Sequence, residues 1–308
     1  MVGAFADRED KPGVAGTGGA TMTNSTTTEP PTPPPGPGTP SGAAGTSGYV
    51  PVNGLRMYYE VHGEGRPLAL LHGALTTIGT SFGAILPLLA SNHRVVAVEQ
   101  QAHGHTGDIE RPLTYEQLAD DTAAALRHLS VRDADILGFS MGSGVAVCLA
   151  IRHPELARKL VLATPAYDRD GFHPGVIEDM AALQPEHLAG SAFEADYLRT
   201  APRPQDWPVL IERVKRLNLE FVGWPEEAVA AIKAPALIIV GDSDVVRPEH
   251  ALSMFRLLGG GVAGDVAGLP NSQLAVLPGT GNLALMERAE WLTSMVEAFL
   301  EAPVRVQA

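Results

Sequence analysis

The chain has 308 residues, 45% of them hydrophobic, which is enough for one large domain or two ordinary domains with a proper core. Its formal net charge of −13 disfavours nucleic acid and anionic membrane surfaces as partners, because like charges repel. Its single cysteine, Cys148, excludes a disulfide within the chain and a thiolate metal cluster. We expect Cys148 to be a small core residue of a cytoplasmic protein.

The amino-terminal region, residues 1–48, is rich in Thr, Pro and Gly and poor in large apolar residues. Such a composition predicts a disordered leader, with a proline-rich ligand for a partner protein as the alternative. A translation start at Met22 would remove about half of it. The sequence has no apolar run of the length that spans a membrane, and its start lacks the apolar stretch of a secretory signal.

From Tyr49 onward, short apolar runs alternate with helical patterns, which is typical of a mostly parallel, doubly wound α/β sheet with helices on both faces. Thr114 and Gln117 have the spacing of a helix capping box. Apolar residues at helical spacing predict a last helix that ends before Pro303. The predicted strands are 55–61, 67–71, 94–99, 134–139, 159–163, 236–240 and 273–277.

One segment interrupts this alternation, because residues 165–233 contain helical and proline-broken stretches but no convincing strand. We predict that this lid segment is a helical lid inserted into a core formed by residues 49–164 and 234–303, with a tail at 304–308. Its aromatic rings could form a small core of the lid, line a ligand cleft, or do both. They are Tyr167, Phe172, Phe193, Tyr197, Trp207, Phe221 and Trp224.

The strongest chemical signal is the run Gly138–Gly142, which joins the predicted strand 134–139 to a helical pattern and has Ser140 at its centre. The spacing G-x-S-x-G is typical of a nucleophile elbow, where a strained turn exposes the serine hydroxyl. The flanking glycines let the strand and the helix approach closely. We interpret Ser140 as a nucleophile, and a plain glycine-rich turn is the alternative.

A second loop follows the predicted strand 67–71 and contains His72 and Gly73. The backbone N–H groups of Ala74 and of Met141, the residue after the nucleophile, can point at a developing oxyanion. A catalytic role for His72 is conceivable. We expect instead that it holds its own loop by hydrogen bonds.

Two aspartates, Asp242 and Asp244, follow the predicted strand 236–240. A buried aspartate at such a position can orient a catalytic base and stabilise the base when it is charged. We assign this role to Asp244 and expect Asp242 to shape the turn. Asp168, which follows the preceding strand, is the alternative acid.

In their order and spacing, the His72 loop, the turn at Ser140 and the turn at Asp244 resemble the α/β-hydrolase superfamily, in its lidded branch of esterases, enol-lactonases and cofactor-free haloperoxidase-like proteins. Residues 99–104 stand where that family usually has an Asp-x-x-Gly-His-Gly pattern, and the resemblance extends over residues 49–300. It implies a Ser, Asp, His triad in which the serine attacks an acyl carbon of a small, largely apolar ester or lactone. It implies no metal and no cofactor.

The sequence departs from that family at one catalytic position. Where the family has a histidine after the last strand, this chain has Asn282, and its last histidine, His250, precedes that strand. A carboxamide can accept a hydrogen bond from Ser140 and donate one to Asp244, but it cannot take a proton. We therefore expect strongly impaired hydrolysis.

Two hypotheses remain after this departure, an impaired serine hydrolase and a pseudoenzyme that binds a small molecule in the same lidded pocket without chemistry. Replacement of the missing base by His103, His105 or His250 is a further alternative, since each follows or lies near the carboxyl end of a predicted strand. An ordinary structural role is what we expect of all three. The substrate and the oligomeric state stay open.

Overall fold

The computed structural model describes residues 45–304 and contains an eight-stranded sheet in the order β1-β2-β4-β3-β5-β6-β7-β8. β1 and β2 are antiparallel, β2 is antiparallel to β4, and all other neighbours are parallel, so the predicted α/β fold class is confirmed. Residues 1–44 of the predicted leader and residues 305–308 of the predicted tail lie outside the described residues. The strands are β1 Thr46–Val52, β2 Leu55–His62, β3 Arg66–Leu71, β4 His93–Val98, β5 Ala134–Phe139, β6 Ala157–Ala163, β7 Ala236–Gly241 and β8 Gln273–Leu277.

Helices cover both faces of this sheet. None of the helices in residues 45–304 has the length and apolar character needed to cross a bilayer. The α-helices are α1 Ile78–Phe82, α2 Leu86–Leu89, α3 Tyr115–His128, α4 Met141–Arg152, α5 Val176–Ala181, α6 Ala192–Thr200, α7 Trp207–Glu220, α8 Glu226–Ala230, α9 Pro248–Leu257, α10 Gly264–Ala267, α11 Asn282–Leu285 and α12 Ala289–Glu301.

Two apolar cores lie on opposite faces of the sheet, and β3 shows how one strand supplies both. Leu68 and Leu70 belong to the core under α1, α2 and α12, whereas Ala69 and Leu71 belong to the core under α3 and α4. Successive side chains of a strand point to opposite faces, so a strand buried on both sides is apolar throughout. Cys148 of α4 is buried in the second core, and burial raises the pKa of its thiol to about 12.

The seven predicted strands are confirmed, with ends that differ by at most two residues. β1 was not predicted, and it begins inside the predicted leader 1–48. Its first residues, Thr46–Gly48, pair with β2, and Val50 and Val52 are buried. Polar residues, glycine and proline are typical of a loop, but an antiparallel edge strand tolerates them when its partner supplies the hydrogen bonds.

The predicted capping box at the start of α3 is only half present. Thr114 accepts a hydrogen bond from the Gln117 backbone N–H at 3.2 Å and so caps the helix. The Gln117 carboxamide oxygen instead accepts from Arg111 at 3.0 Å. A nearby guanidinium thus takes the side chain that a capping box would use.

The lid segment, residues 165–233, carries α5 to α8, and within it the described chain forms only isolated bridges and no strand. It is tied to the core by polar contacts. The Thr77 hydroxyl donates to the Asp196 carboxylate at 2.5 Å, and Arg213 pairs with Asp108 at 3.0 Å. The domain boundaries and the function of this segment as a lid remain our predictions.

Candidate active site

Ser140 occupies a sharp turn between β5 and α4, with φ of 52° and ψ of −115°. This positive φ is strained for any residue that has a Cβ atom. A Cβ atom at Gly138 would lie 2.2 Å from the Gly142 carbonyl oxygen, and a Cβ atom at Gly142 would lie 1.9 Å from the Leu71 carbonyl oxygen. Both flanking positions therefore require glycine, which is the local geometry that the G-x-S-x-G spacing predicts.

The two residues predicted to supply backbone N–H groups to an oxyanion line the same cavity as the serine. Met141 is the first residue of α4, and the N–H of a first helical residue has no acceptor within its own helix. Ala74 lies in the loop after β3 and lines the same cavity as Ser140 and Met141. The structure thus brings together the residues predicted to form an oxyanion hole.

His72 holds the loop that carries Ala74. Its side chain is fully buried, with Nδ1 donating to the Gly73 carbonyl at 2.7 Å and Nε2 accepting from the Gln100 backbone N–H at 2.9 Å. Burial lowers the pKa of His72, so the imidazole is neutral. Its contacts are those of a loop-holding residue, as we expected.

The Asp244 carboxylate is buried in the turn after β7. It accepts hydrogen bonds from the backbone N–H groups of Gly241 at 3.2 Å, Val245 at 2.7 Å and Val246 at 3.3 Å. Burial raises the pKa of Asp244, and these hydrogen bonds together with one from the Asn282 side chain oppose that rise. The carboxylate is therefore fixed in place and faces residue 282.

Asp242, two residues earlier, has a different surrounding. Its exposed carboxylate accepts from the backbone N–H groups of Gly279 at 3.0 Å and Thr280 at 3.2 Å. These hydrogen bonds lower the pKa of Asp242. It joins the turn after β7 to the turn after β8, which is the turn-shaping role that we expected.

Asn282 lies at the start of α11 and lines the same cavity as Ser140. Its Nδ2 donates to the Thr164 hydroxyl at 3.0 Å, and its side chain also hydrogen-bonds the Asp244 carboxylate. A carboxylate only accepts, so both N–H bonds of the Asn282 amide are engaged. The remaining polar atom, Oδ1, is an acceptor that cannot take up a proton.

Thr164 is a site residue that the sequence analysis missed. It follows β6 with φ of 55°, its backbone N–H donates to the Ile239 carbonyl at 2.7 Å, and its hydroxyl accepts from Asn282. No motif surrounds it in the sequence. The only signal is its place after a buried strand, at the same edge of the sheet as the serine turn.

The alternative residues lie elsewhere. His103 is fully buried, its Nδ1 donates to the Gln101 carbonyl at 2.9 Å, and burial lowers its pKa to about 3. His250 accepts from the Tyr167 backbone N–H at 3.1 Å. Asp168 caps a short turn of the lid segment. None of these side chains is among those that line the Ser140 cavity.

His105 is also outside that cavity. Its Nδ1 lies 3.0 Å from the Glu99 carboxylate, and its ring stacks on Tyr58 with 4.1 Å between the centroids. The hydrogen bond to Glu99 raises the pKa of His105. The contacts of the three histidines thus give no support to base replacement. Across residues 45–304, no three His, Cys, Asp or Glu side chains come close enough to hold a metal ion.

The Ser140 cavity has a volume of about 140 Å³ and lies between the carboxyl ends of the strands and the lid segment. Its wall is largely apolar. Three lid aromatics, Phe172, Phe193 and Phe221, line it, whereas Tyr197 packs on Trp207 with 5.2 Å between their centroids in the core. Some aromatic residues of the lid segment therefore line the cavity and others pack in the core, which are the two roles that the sequence left open.

The sequence of this chain was compared with known protein families and with known proteins. The alpha/beta hydrolase fold family matches residues 66–289. The chain belongs to this family. It is 27% identical to the 2-hydroxymuconate semialdehyde hydrolase of Pseudomonas sp. (strain CF600), over 80% of this chain and 91% of that protein.

Solved structures show the same fold. The meta-cleavage product hydrolase from Pseudomonas fluorescens IP01 superposes with a TM-score of 0.65 at 22% identity, over 83% of this chain and 97% of that one. The enol-lactonase from Burkholderia xenovorans LB400 superposes with a TM-score of 0.60 at 21% identity, over 82% of this chain and 100% of that one.

Proposed function

We propose that the Ser140 cavity is the site of a serine hydrolase for small, largely apolar esters or lactones, and that Asn282 strongly impairs its activity. The observation that carries this proposal is the common cavity of Ser140, Ala74, Met141 and Asn282, closed by apolar side chains. A hydroxyl on a strained turn beside two backbone donors is the arrangement that acyl transfer needs.

The chemistry has two halves. The Ser140 oxygen forms a bond to the acyl carbon, and the carbonyl electrons move to the oxygen, which the N–H groups of Ala74 and Met141 stabilise. When the carbonyl re-forms, the alkoxide leaves and takes up a proton. Water then attacks the acyl-serine in the same way and releases the acid.

Asn282 affects the removal of the proton from the attacking hydroxyl, and it does not affect the stabilisation of the oxyanion. In each half the attacking hydroxyl must lose a proton, and a carboxamide cannot accept it. Solvent water has to take this proton, which is slow. In subtilisin, loss of the histidine costs about a millionfold in kcat, while the oxyanion hole and binding retain about 10³ to 10⁴ over water. We expect a comparable handicap.

Two structural neighbours support lactones as a substrate class. One is named an enol-lactonase, and the other is named as an enzyme that degrades N-acyl homoserine lactone. The apolar wall and small volume of the Ser140 cavity agree with a compact carbonyl substrate.

Ligand binding without chemistry is the second candidate, and one observation favours it. Both N–H bonds of the Asn282 amide are satisfied, by Thr164 and by Asp244, so the site is well formed with asparagine in place. A pocket of this kind can bind a small carbonyl compound and release it unchanged.

Labelling of the full chain with a fluorophosphonate probe separates the two. For the hydrolase we expect slow labelling that Ser140→Ala abolishes. The matched control Ser243→Ala removes an exposed serine near the acid turn and should leave labelling unchanged. Absence of labelling, combined with saturable binding of an ester, would show that the protein binds without catalysis.

A further inference from the structure

A second cavity of about 220 Å³ adjoins the Ser140 cavity, and we call it the side pocket. It opens between the start of α3 and the end of α7. Tyr115, Leu217 and Phe221 line both cavities, so a single layer of side chains separates them.

This shared wall lies close to the nucleophile. Gly144 is one turn after Ser140 on α4, and a Cβ atom there would lie 2.3 Å from Cε1 of Tyr115. The Tyr115 ring therefore rests on the backbone of the helix that begins at the nucleophile. Phe221 meets Tyr115 edge to face, with 5.0 Å between the ring centroids.

The volumes limit what the first cavity can hold. An engineered cavity of about 150 Å³ in another protein binds one benzene molecule. The Ser140 cavity, at about 140 Å³, therefore has room for a group of roughly six carbons. A longer substituent needs space outside it, and the side pocket begins one side chain away.

Phe221 is the part of the wall that lies outside a regular helix. It follows the end of α7, in the irregular stretch before α8, and its ring packs edge to face on Trp224 with 4.9 Å between the centroids, so passage of a ligand requires this ring to turn. Val222 beside it is 83% exposed and lines the side pocket, and Gly223 has φ of 102°. Together with Leu113, Leu217 and Trp224 of the same lining, Val222 offers apolar surface to an occupant of the side pocket.

The rim of the side pocket is acidic. Glu116 and Glu220 line it and are exposed. Two carboxylates at the outer end disfavour a substituent that ends in a negative charge, whereas they tolerate a neutral or cationic end.

From these contacts we propose that the side pocket binds the far end of a long apolar arm, which passes between Tyr115 and Phe221 while the carbonyl of the same ligand lies at Ser140. The ligand class is an ester, lactone or amide with an unbranched chain of eight to twelve carbons and an uncharged or cationic end. The inference rests on the proposed function for the location of the carbonyl, but it does not require turnover.

Calorimetric titration with linear carboxamides of six, eight, ten and twelve carbons tests it, because amides resist hydrolysis and need no catalytic base. Each buried methylene is worth about fourfold in affinity. We expect affinity to rise beyond hexanamide, so that decanamide binds at least tenfold more tightly. Equal affinities for hexanamide and decanamide would overturn the proposal.

Blocking variants locate the effect. Val222→Trp fills the side pocket, and we expect it to remove the gain beyond six carbons while hexanamide binding stays unchanged. Val209→Trp is the matched control, because Val209 is an exposed valine of the preceding helix α7 and lines neither cavity. If both variants behave alike, the arm does not enter the side pocket.

Failure of this inference is distinguishable from failure of the proposed function. Suppose that affinity rises with chain length, that Val222→Trp abolishes this rise, and that Ser140 never reacts with a fluorophosphonate. These results would support the side pocket and contradict the hydrolase. Labelling of Ser140 without chain-length dependence would give the opposite result. A decanamide carrying a terminal carboxylate should bind more weakly than one carrying a terminal ammonium.

Discussion

Asn282→His should turn a slow site into an efficient one. The imidazole would replace the Asn282 carboxamide, which already hydrogen-bonds the Asp244 carboxylate. That carboxylate is held by three backbone N–H groups, so it can accept from Nδ1 of the new ring and fix its orientation. The other ring nitrogen would then accept the proton of Ser140.

The magnitude follows from the step that is restored. General base catalysis contributes about 10² to 10⁴ in rate, and a complete triad contributes more. We expect kcat/KM for short p-nitrophenyl esters to rise at least a hundredfold, or about 2.7 kcal/mol of transition-state stabilisation. The Thr164 hydroxyl loses its hydrogen bond from the Asn282 amide, which costs about 1 kcal/mol of folding stability.

The assay is initial-rate hydrolysis of p-nitrophenyl acetate and butyrate at several pH values. In the histidine variant, kcat/KM should increase with pH through about 6.5, because the neutral imidazole is the base. Asn282→Gln keeps a carboxamide and should stay at the original rate. Adding Ser140→Ala or Asp244→Asn to the histidine variant should remove the gain.

A folded Asn282→His variant with less than a tenfold increase would refute the reasoning. It would mean that residue 282 does not lie between the hydroxyl and the acid in the productive geometry. Circular dichroism and a thermal melt establish that the variant is folded before this conclusion is drawn.

Three further predictions concern the serine turn and two ion pairs of the core domain. Gly142→Ala places a Cβ atom 1.9 Å from a main-chain oxygen, and it should cost about 3 kcal/mol or more in a denaturant melt. Arg111→Met removes the cation that pairs with the buried Asp121 carboxylate and leaves it only the hydrogen bond from the Asn53 amide at 2.8 Å, and it should cost about 3 kcal/mol at pH 7. Burial already raises the pKa of Asp121, so this cost should shrink as pH falls and the carboxyl becomes neutral. Glu99→Gln should lower the pKa of His105 in an NMR titration; the native contact stabilises the fold at low pH and is lost as pH rises through the raised pKa.

The sequence predicted most of the sheet because of how its strands are buried. β3, β5 and β7 are covered on both faces, so each is a nearly continuous apolar run that a loop would not carry. β1 escaped prediction since it is an edge strand with glycine and proline. The missed signal is the Asn53-Gly54 pair that joins β1 to β2, because Asn-Gly is typical of a two-residue hairpin turn and both residues have positive φ.

The site was predictable where a turn demands particular residues. Gly138 and Gly142 are required by close backbone approaches, and this requirement makes the position of Ser140 visible in the sequence. The bond between Asn282 and Thr164 joins residues 118 positions apart and depends on how β6 and α11 are placed. The side pocket likewise depends on the packing of α3 against the lid segment, which no spacing encodes.

Ser140 and Thr164 are both non-glycine residues with positive φ, at 52° and 55°. A side chain in such a conformation costs about 1 to 3 kcal/mol, and glycine would avoid most of that cost. Ser140 supplies the hydroxyl that faces the cavity, and Thr164 supplies the hydroxyl that anchors Asn282. Both residues therefore lower the stability of the fold. A thermostabilising screen that ignores ligands should therefore favour glycine at 140 and 164, and its best folders should be its poorest binders.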